Sequence, residues 1–366
     1  MMCARLFVVD DESFDYTRDK LIVAARVPTK KISKLWLRTY HDIMADMLQI
    51  RIGDYIFLWK VKEDNEKNSI FGVYRAISKP FFKLDGEGDV APFKLHVEVA
   101  YEFKHPISEY DLLNWPHLHS PLWNIVGKKI SNKARASTPL SPEEEKTLIT
   151  ILKGKNPEYK FYPFNPAHIK DVERPLRIDC DNAGTNPKEI DSYLKLVPEE
   201  VHPLNAKSRP YYEKTMEAIF NQEFANNNRS FFEQLGIDIE KVVWFSNYLP
   251  YSIEKSEMDY LILESDDGKA ITHAYIIDFM LRDVDADHIE RCIMYGKWVS
   301  RTIAYGSDII QPIVLSEYSP DFIENDSEEV RNFNNWINKL EEDRNYPIQI
   351  FTYKYECGEW CFDRMR

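Results

Sequence analysis

Cysteine is scarce: Cys3, Cys180, Cys292, Cys357 and Cys361 are scattered along 366 residues and odd in number. That excludes the paired framework of a small disulfide-stapled domain. Cys357 and Cys361 lie close together, but no second pair completes a zinc site, so ordinary packing is expected there. No run of about 18 apolar residues exists, which argues against a membrane helix. The opening Met-Met-Cys-Ala-Arg lacks the charged-then-apolar order of a signal peptide, so a cytoplasmic protein without a membrane partner is expected. There is no internal repeat or low-complexity tract. Basic residues are in deficit, 47 Lys plus Arg against 60 Asp plus Glu, a net charge of −13. Taken whole, that argues against a nucleic-acid partner, because phosphate contacts need cations.

The average hides an asymmetry. Residues 1–135 carry 21 basic against 18 acidic side chains, which leaves 26 against 42 in the remainder. Lys128, Lys129, Lys133 and Arg135 fall within eight residues; such a run is either a solvated loop or a phosphate-holding strip. Hydrophobic residues make up 44% and aromatics 13%, ample for real cores.

The order of elements is readable from periodicity. RLFVVD (5–10) reads as a first strand, and 31–49 as an amphipathic helix with Trp36 on it. After Gly53-Asp54 come three strand-like runs, YIFLWKV, SIFGVYRAIS and FKLHVEVAYEF. The polar tip 63–68 reads as a hairpin turn between the first two. Ser141-Pro-Glu-Glu is a helix start. Residues 156–209 lack sustained periodicity and read as a connector. Beyond it, 211–224 is helical, and 242–245, 258–264 and 274–280 are strands. A helix over 287–305, a strand over 309–315 and a polar helix over 328–342 complete the series. The expectation is an α+β chain: a small β-barrel over 1–155, a connector over 156–209, and an α/β domain with a mixed sheet over 210–366.

The first block resembles the EVE family, relatives of PUA and YTH domains. The likeness runs through RLFVV, Trp36, Ile52-Gly-Asp54 to Trp59, Ile70-Phe-Gly-Val-Tyr74, Ser78-Lys-Pro80, Pro92-Phe-Lys94 and Ala134-Arg-Ala-Ser137. It implies a PUA-like barrel that accepts one flipped-out base, often a modified one. Such a base needs π-faces on both sides. Trp36, Phe57, Trp59, Tyr74, Trp115 and Trp123 are the candidate walls, each of which could instead fill the barrel. The basic residues Lys128, Lys129, Lys133 and Arg135 would hold flanking phosphates. His117 and His119 read as loop residues, since no third metal ligand accompanies them.

The second block resembles the PD-(D/E)XK nuclease superfamily, closest to archaeal-type endonucleases, and implies a restriction-endonuclease-like fold. The likeness rests on Glu217, Met258-Asp259-Tyr-Leu-Ile-Leu, Ile277-Asp278-Phe-Met280, and a helix with Tyr295 and Trp298. It implies that Asp259 and Asp278 bind Mg²⁺, with Glu217 approaching from the helix. Where that family has a lysine, this chain has Met280, and Lys297 or Arg282 is the candidate replacement. The resulting expectation is a DNA-binding protein, DNA being preferred to RNA, of the modification-dependent restriction kind. Its C-terminal half either cuts with Mg²⁺ or is a degenerate relative. The alternative is a non-catalytic protein that reads RNA and docks a protein partner, or a second copy, through its acidic half.

Overall fold

The computed structural model describes residues 3–26, 42–61, 68–85, 91–108, 111–112, 135–178, 200–201, 213–250, 257–268, 270–280, 286–304, 309–317, 335, 338 and 347–365.

The N-terminal half is built on a curled sheet. Its main path runs β2 (Ile22–Ala25), β6 (Phe93–Glu102), β4 (Ser69–Ala76), β3 (Tyr55–Lys60), β1 (Ala4–Val9), β8 (Ser137–Leu140). The curl comes from β6, a ten-residue strand: its first half pairs with β2 and β5 (Phe81–Phe82), its second with β4 and β9 (Lys160–Phe161). β2 and β8 end the path without pairing to each other among the described residues, so the expected barrel is an open half-barrel. Gly72 sits unpaired where the β3–β4 register shifts, at φ +53°, and a Cβ there would meet the Tyr74 ring at 3.4 Å. Glycine therefore permits both the bulge and the ring lying across it.

β1 and β3 are parallel, so the chain must cross over between them. The helical residues 42–48 (α2) belong to that crossover. Helix α1 (Asp11–Lys20) is held by Asp10, whose carboxylate accepts the Ser13 N–H, with acids in its first turn and bases in its last. Helix α3 (Pro142–Lys155) starts at the capping box that Ser141-Pro-Glu-Glu announces: Ser141 and Glu144 each accept the other's backbone N–H.

The C-terminal half is a six-stranded sheet in sequence order: β12 (Val242–Pro250), β13 (Glu257–Glu264), β14 (His273–Met280), β15 (Ile310–Glu317), β16 (Gln349–Glu356), β17 (Glu359–Arg364). The first two pairings are antiparallel, the next two parallel, and the last antiparallel. Helix α4 (Glu213–Ala225) and short α5 (Arg229–Glu233) precede it, and α6 (Ala286–Thr302) makes the β14–β15 crossover. Alternation along each strand divides the sheet cleanly. Tyr260, Ile262, Ile277 and Phe279 face the core with Phe220 and Phe224 of α4, whereas Leu261, Leu263, Ile276 and Met280 face Ile289, Cys292 and Tyr295 of α6.

The α4-side core does not stop at the sheet. It is one cluster with Phe7, Met44, Met47 and Ile56 of the N-terminal half. Polar bonds cross the same boundary: Gln49 donates to the Phe245 carbonyl and Asn221 to the Ala45 carbonyl.

Cys357 and Gly358, at φ +53° and +86°, form the two-residue turn between β16 and β17. Consecutive left-handed residues match the twist of a hairpin. Cys357 serves that turn, and both it and Cys361 are free thiols. The connector contributes β9, β10 (Arg177–Ile178) and its parallel partner β11 (Glu200–Val201), short strands invisible to periodicity, and β7 (Ile107–Ser108) pairs with the start of β4. The expected helix over 328–342 lies, apart from residues 335 and 338, outside the described residues.

Candidate nucleic-acid interface

Phe57 and Trp59 alternate onto one face of β3, as a two-residue spacing requires. That face is interior. Phe57 is 0% and Trp59 7% exposed, packed with Leu6, Ile70, Leu148 and Ile151 beneath α3. Both are core residues of the half-barrel here, which corrects their expected place in an open pocket. Tyr74 faces the other core and is also buried, and burial raises its hydroxyl pKa. Trp36, Trp115 and Trp123 lie outside the described residues, as do His117 and His119 and the lysines Lys128, Lys129 and Lys133.

Arg135 is the described member of the expected phosphate strip, and it points inward. Its guanidinium grips Asp46 of α2 through two nitrogens, Nε at 3.0 Å and Nη2 closer still. Asp46 also accepts the backbone N–H groups of Ala136 (2.9 Å) and Ser137 (3.3 Å), with Arg5 Nη2 at 3.8 Å. Burial opposes charge on Arg135, but the carboxylates of Asp46, Asp42 and Glu217 outweigh it and push its pKa up. The arginine therefore ties β8 to α2; a phosphate contact would have to break that pair.

Glu217, assigned by resemblance to the metal site, lies by that network instead. It sits on α4, and the Tyr260 hydroxyl donates to its backbone carbonyl at 2.7 Å. Asp259 and Asp278 lie on the opposite face of the sheet. The β13–β14 register, Tyr260 with Ile277, continues to place Asp259 beside Asp278, so the expected juxtaposition of those two is met. Both odd Asp259 and even Asp278 share the α6 face with Leu261 and Ile276. A sheet thus stands between Glu217 and the two aspartates.

The aspartates themselves are engaged. Asp278 takes a 2.7 Å ion pair from Arg291 of α6, and Asp259 accepts the Phe279 N–H at 2.8 Å. Burial works against Arg291's charge, yet the adjacent Asp278 carboxylate raises its pKa overall. Among the described residues no group of three or more His, Cys, Asp or Glu is placed to hold a metal ion. The arrangement therefore does not fit the expected Mg²⁺ centre. Met280 is buried among Ile276, Ile293 and Val314, which explains an apolar side chain where a lysine was expected. Lys297 is exposed on α6, and Arg282 lies outside the described residues. Arg291 went unnoticed in sequence; its signal is a cation one helical turn before Tyr295.

A second feature missed in sequence lies at the edge strand β9. Tyr159, Phe161 and Tyr162 are 37%, 48% and 42% exposed in a row. Tyr159 and Phe161 adjoin Tyr101 of β6 and Phe103 just after it, while the Tyr162 hydroxyl donates to Glu102 at 2.8 Å. Tyr101 and Phe103 stack at 5.7 Å and 4° between planes, and Phe161 lies 4.7 Å from Tyr101. Lys153 of α3 lies 4.9 Å over Tyr101 and 5.1 Å over Tyr159. Lys160 adds a cation whose partner is Glu102, at 3.2 Å. Burial, then the Tyr55 and Tyr159 phenols, push the Tyr101 hydroxyl up to about 12, so it stays neutral. Flat exposed rings edged by lysines can stack bases and hold the strand that carries them.

No family model and no curated protein matches the chain. Twelve solved chains do match. A hypothetical protein from Leishmania major is 10% identical, with 42% of this chain and 97% of that one covered, at a TM-score of 0.30. Human THYN1, solved in complex with DNA containing 5-methylcytosine, is 13% identical over 41% of this chain and 98% of its own, at 0.28. The Mmi1 YTH domain, solved with RNA, is 12% identical over 41% and 79%, at 0.24. In each case the alignment takes about two fifths of this chain.

Proposed function

We propose that the protein binds nucleic acid through its N-terminal half and reads a modified or flipped base in DNA there. The nuclease-like C-terminal half serves as a non-cutting support. The observation that carries this reading is the ring platform of Tyr101, Phe103, Tyr159 and Phe161 with Lys153 above it. Its outer rings, Tyr159 and Phe161, are exposed over the buried Tyr101, on a chain that buries most of its large rings. Two helices, three strands, a helix and a strand, from α4 to β15, support the nuclease-like layout. The Arg291–Asp278 pair supports a domain that does not cut, because a cation already neutralises the carboxylate a metal would need. A defence role of the modification-dependent kind follows from this reading of the two halves.

The test is fluorescence anisotropy with single- and double-stranded DNA, methylated and unmethylated, and matching RNA, in the presence of Mg²⁺. Tyr159→Ala with Phe161→Ala should weaken binding by at least about 30-fold, from about 1–3 kcal/mol for each of two lost stacks. Gel analysis of the same mixtures should show intact DNA. Binding that survives both substitutions, or no binding to any strand, would sink the reading. Preference for RNA would move it to the alternative substrate, and cleavage would refute the non-cutting assignment.

A further inference from the structure

A cleft of about 620 Å³ opens between the two halves, where the turn before β3 meets the end of α4 and the short strand β10. That size lies inside the range of small-ligand sites, roughly 300–1,000 Å³. Its charge is at odds with the rest of this acidic chain. Arg51, Lys79 and Arg177 line it, and no Asp or Glu is among its described lining residues. The carboxyl end of α4 brings about half a negative charge. Arg51 offsets it by donating to the Phe224 carbonyl, at the helix end.

The polar groups in the cleft are held in place. The Arg51 guanidinium lies 3.5 Å over the Phe224 ring, and its buried Nε finds no hydrogen-bond partner among the described residues. Burial lowers Arg51's pKa, a cost that a bound anion would relieve. Gln222 bonds both ways with the Ile178 backbone, at 2.5 and 3.1 Å, and Lys79 reaches Asn226 at 3.3 Å. Ile52, Pro80 and Pro175 give apolar walls beside these groups.

We propose that this cleft binds a nucleotide, its phosphate between Lys79, Arg177 and Arg51 and its ring against the apolar walls. Convergent cations suit the dianion, and apolar walls with fixed amides suit a heterocycle. The site lies at the Arg51 end of β3, shares no lining residue with the ring platform, and does not depend on the reading given above. The phosphate could belong to a free nucleotide or to the 5′ end of a strand.

Titration calorimetry on the full chain tests this with nucleoside 5′-monophosphates, the uncharged nucleosides and inorganic phosphate. Oligonucleotides with 5′-phosphate or 5′-hydroxyl ends complete the set. Lys79 and Arg177 are exposed, so Lys79→Gln with Arg177→Gln should leave the melting temperature unchanged. The pair should weaken monophosphate binding by at least about tenfold. A 5′-phosphate preference among oligonucleotides, lost in the same variant, supports the strand end as source; binding of monophosphates alone supports the free nucleotide. Four results would overturn the proposal: no heat with any monophosphate, nucleosides binding as well as their phosphates, inorganic phosphate binding as tightly as nucleotides, or undiminished binding by the variant. Platform substitutions at Tyr159 and Phe161 should leave this binding intact, which separates the two sites.

Discussion

Replacing Asp46 by alanine removes the centre of the buried charge network. Its carboxylate is the partner of Arg135 through two nitrogens, has Arg5 nearby, and receives two backbone N–H groups. The residue is 0% exposed, so water cannot replace what is lost. An uncompensated buried charge costs about 3–5 kcal/mol, and the orphaned N–H groups belong to the same network rather than adding in full. At about 4 kcal/mol and a urea slope of roughly 3 kcal/mol per molar, the unfolding midpoint should fall by a little over 1 M. The loss should be the same in low and high salt, because solvent ions screen buried pairs poorly. Asp46→Leu combined with Arg135→Met should recover at least half of it, since removing both partners leaves one fewer stranded cation. Equilibrium unfolding in urea, followed by tryptophan fluorescence and circular dichroism, reads both. A midpoint within about 0.3 M of wild type would refute the assignment of Arg135 to structure. A salt slope of nucleic-acid binding that falls by about one in Arg135→Met would then restore it as a phosphate contact.

Two further outcomes follow from buried groups. Phe57→Ala should destabilise the protein by about 3–5 kcal/mol, measured by urea unfolding, because the ring fills the core under α3; a stable variant with altered base binding alone would return Phe57 to a pocket. Glu145 and Asp54 have pKa values raised by burial to about 7 and about 6, Glu145 also by the Asp54 charge. Both lie above their unfolded values, so the folded chain holds their protons more tightly between about pH 4 and 7, and stability falls as pH rises through that window. Glu145→Gln should therefore raise the melting temperature at pH 8 more than at pH 5, by up to about 3 kcal/mol in stability. An equal gap between the two pH values in both proteins would contradict it.

Local pattern carried most of the fold. YIFLWKV, FKLHVEVAYEF and MDYLILE alternate or run apolar as strands must, and Ser141-Pro-Glu-Glu carries its own capping logic. Helix α1 escaped notice because DESFDYTRDK buries only Phe14 and Thr17, too few for a visible stripe. The β16–β17 hairpin escaped because its turn is Cys357-Gly358 and not the usual Asn-Gly. Site assignments fared by distance. Asp259 and Asp278 are register neighbours, a relation that two adjacent strands fix locally. Glu217 is different: which face of a sheet a helix covers is a tertiary fact, and here it covers the wrong one for a shared metal. Arg135 sits in a basic run, yet its partner Asp46 is 89 residues away. The ring platform assembles from β6 and β9, distant in sequence and each unremarkable alone.

The apolar cluster that joins Phe7 and Met44 to Phe220 and Phe362 bears on how such a chain can change over generations. Modules separated by a watery seam can be shuffled, each carrying its own interior to a new host. Here the seam has an apolar core, and Met44, Met47 and Phe245 would meet solvent wherever the halves were parted. Substitutions on one side must then be answered on the other, as between subunits of an obligate pair. The ring platform is inherited together with the sheet behind it.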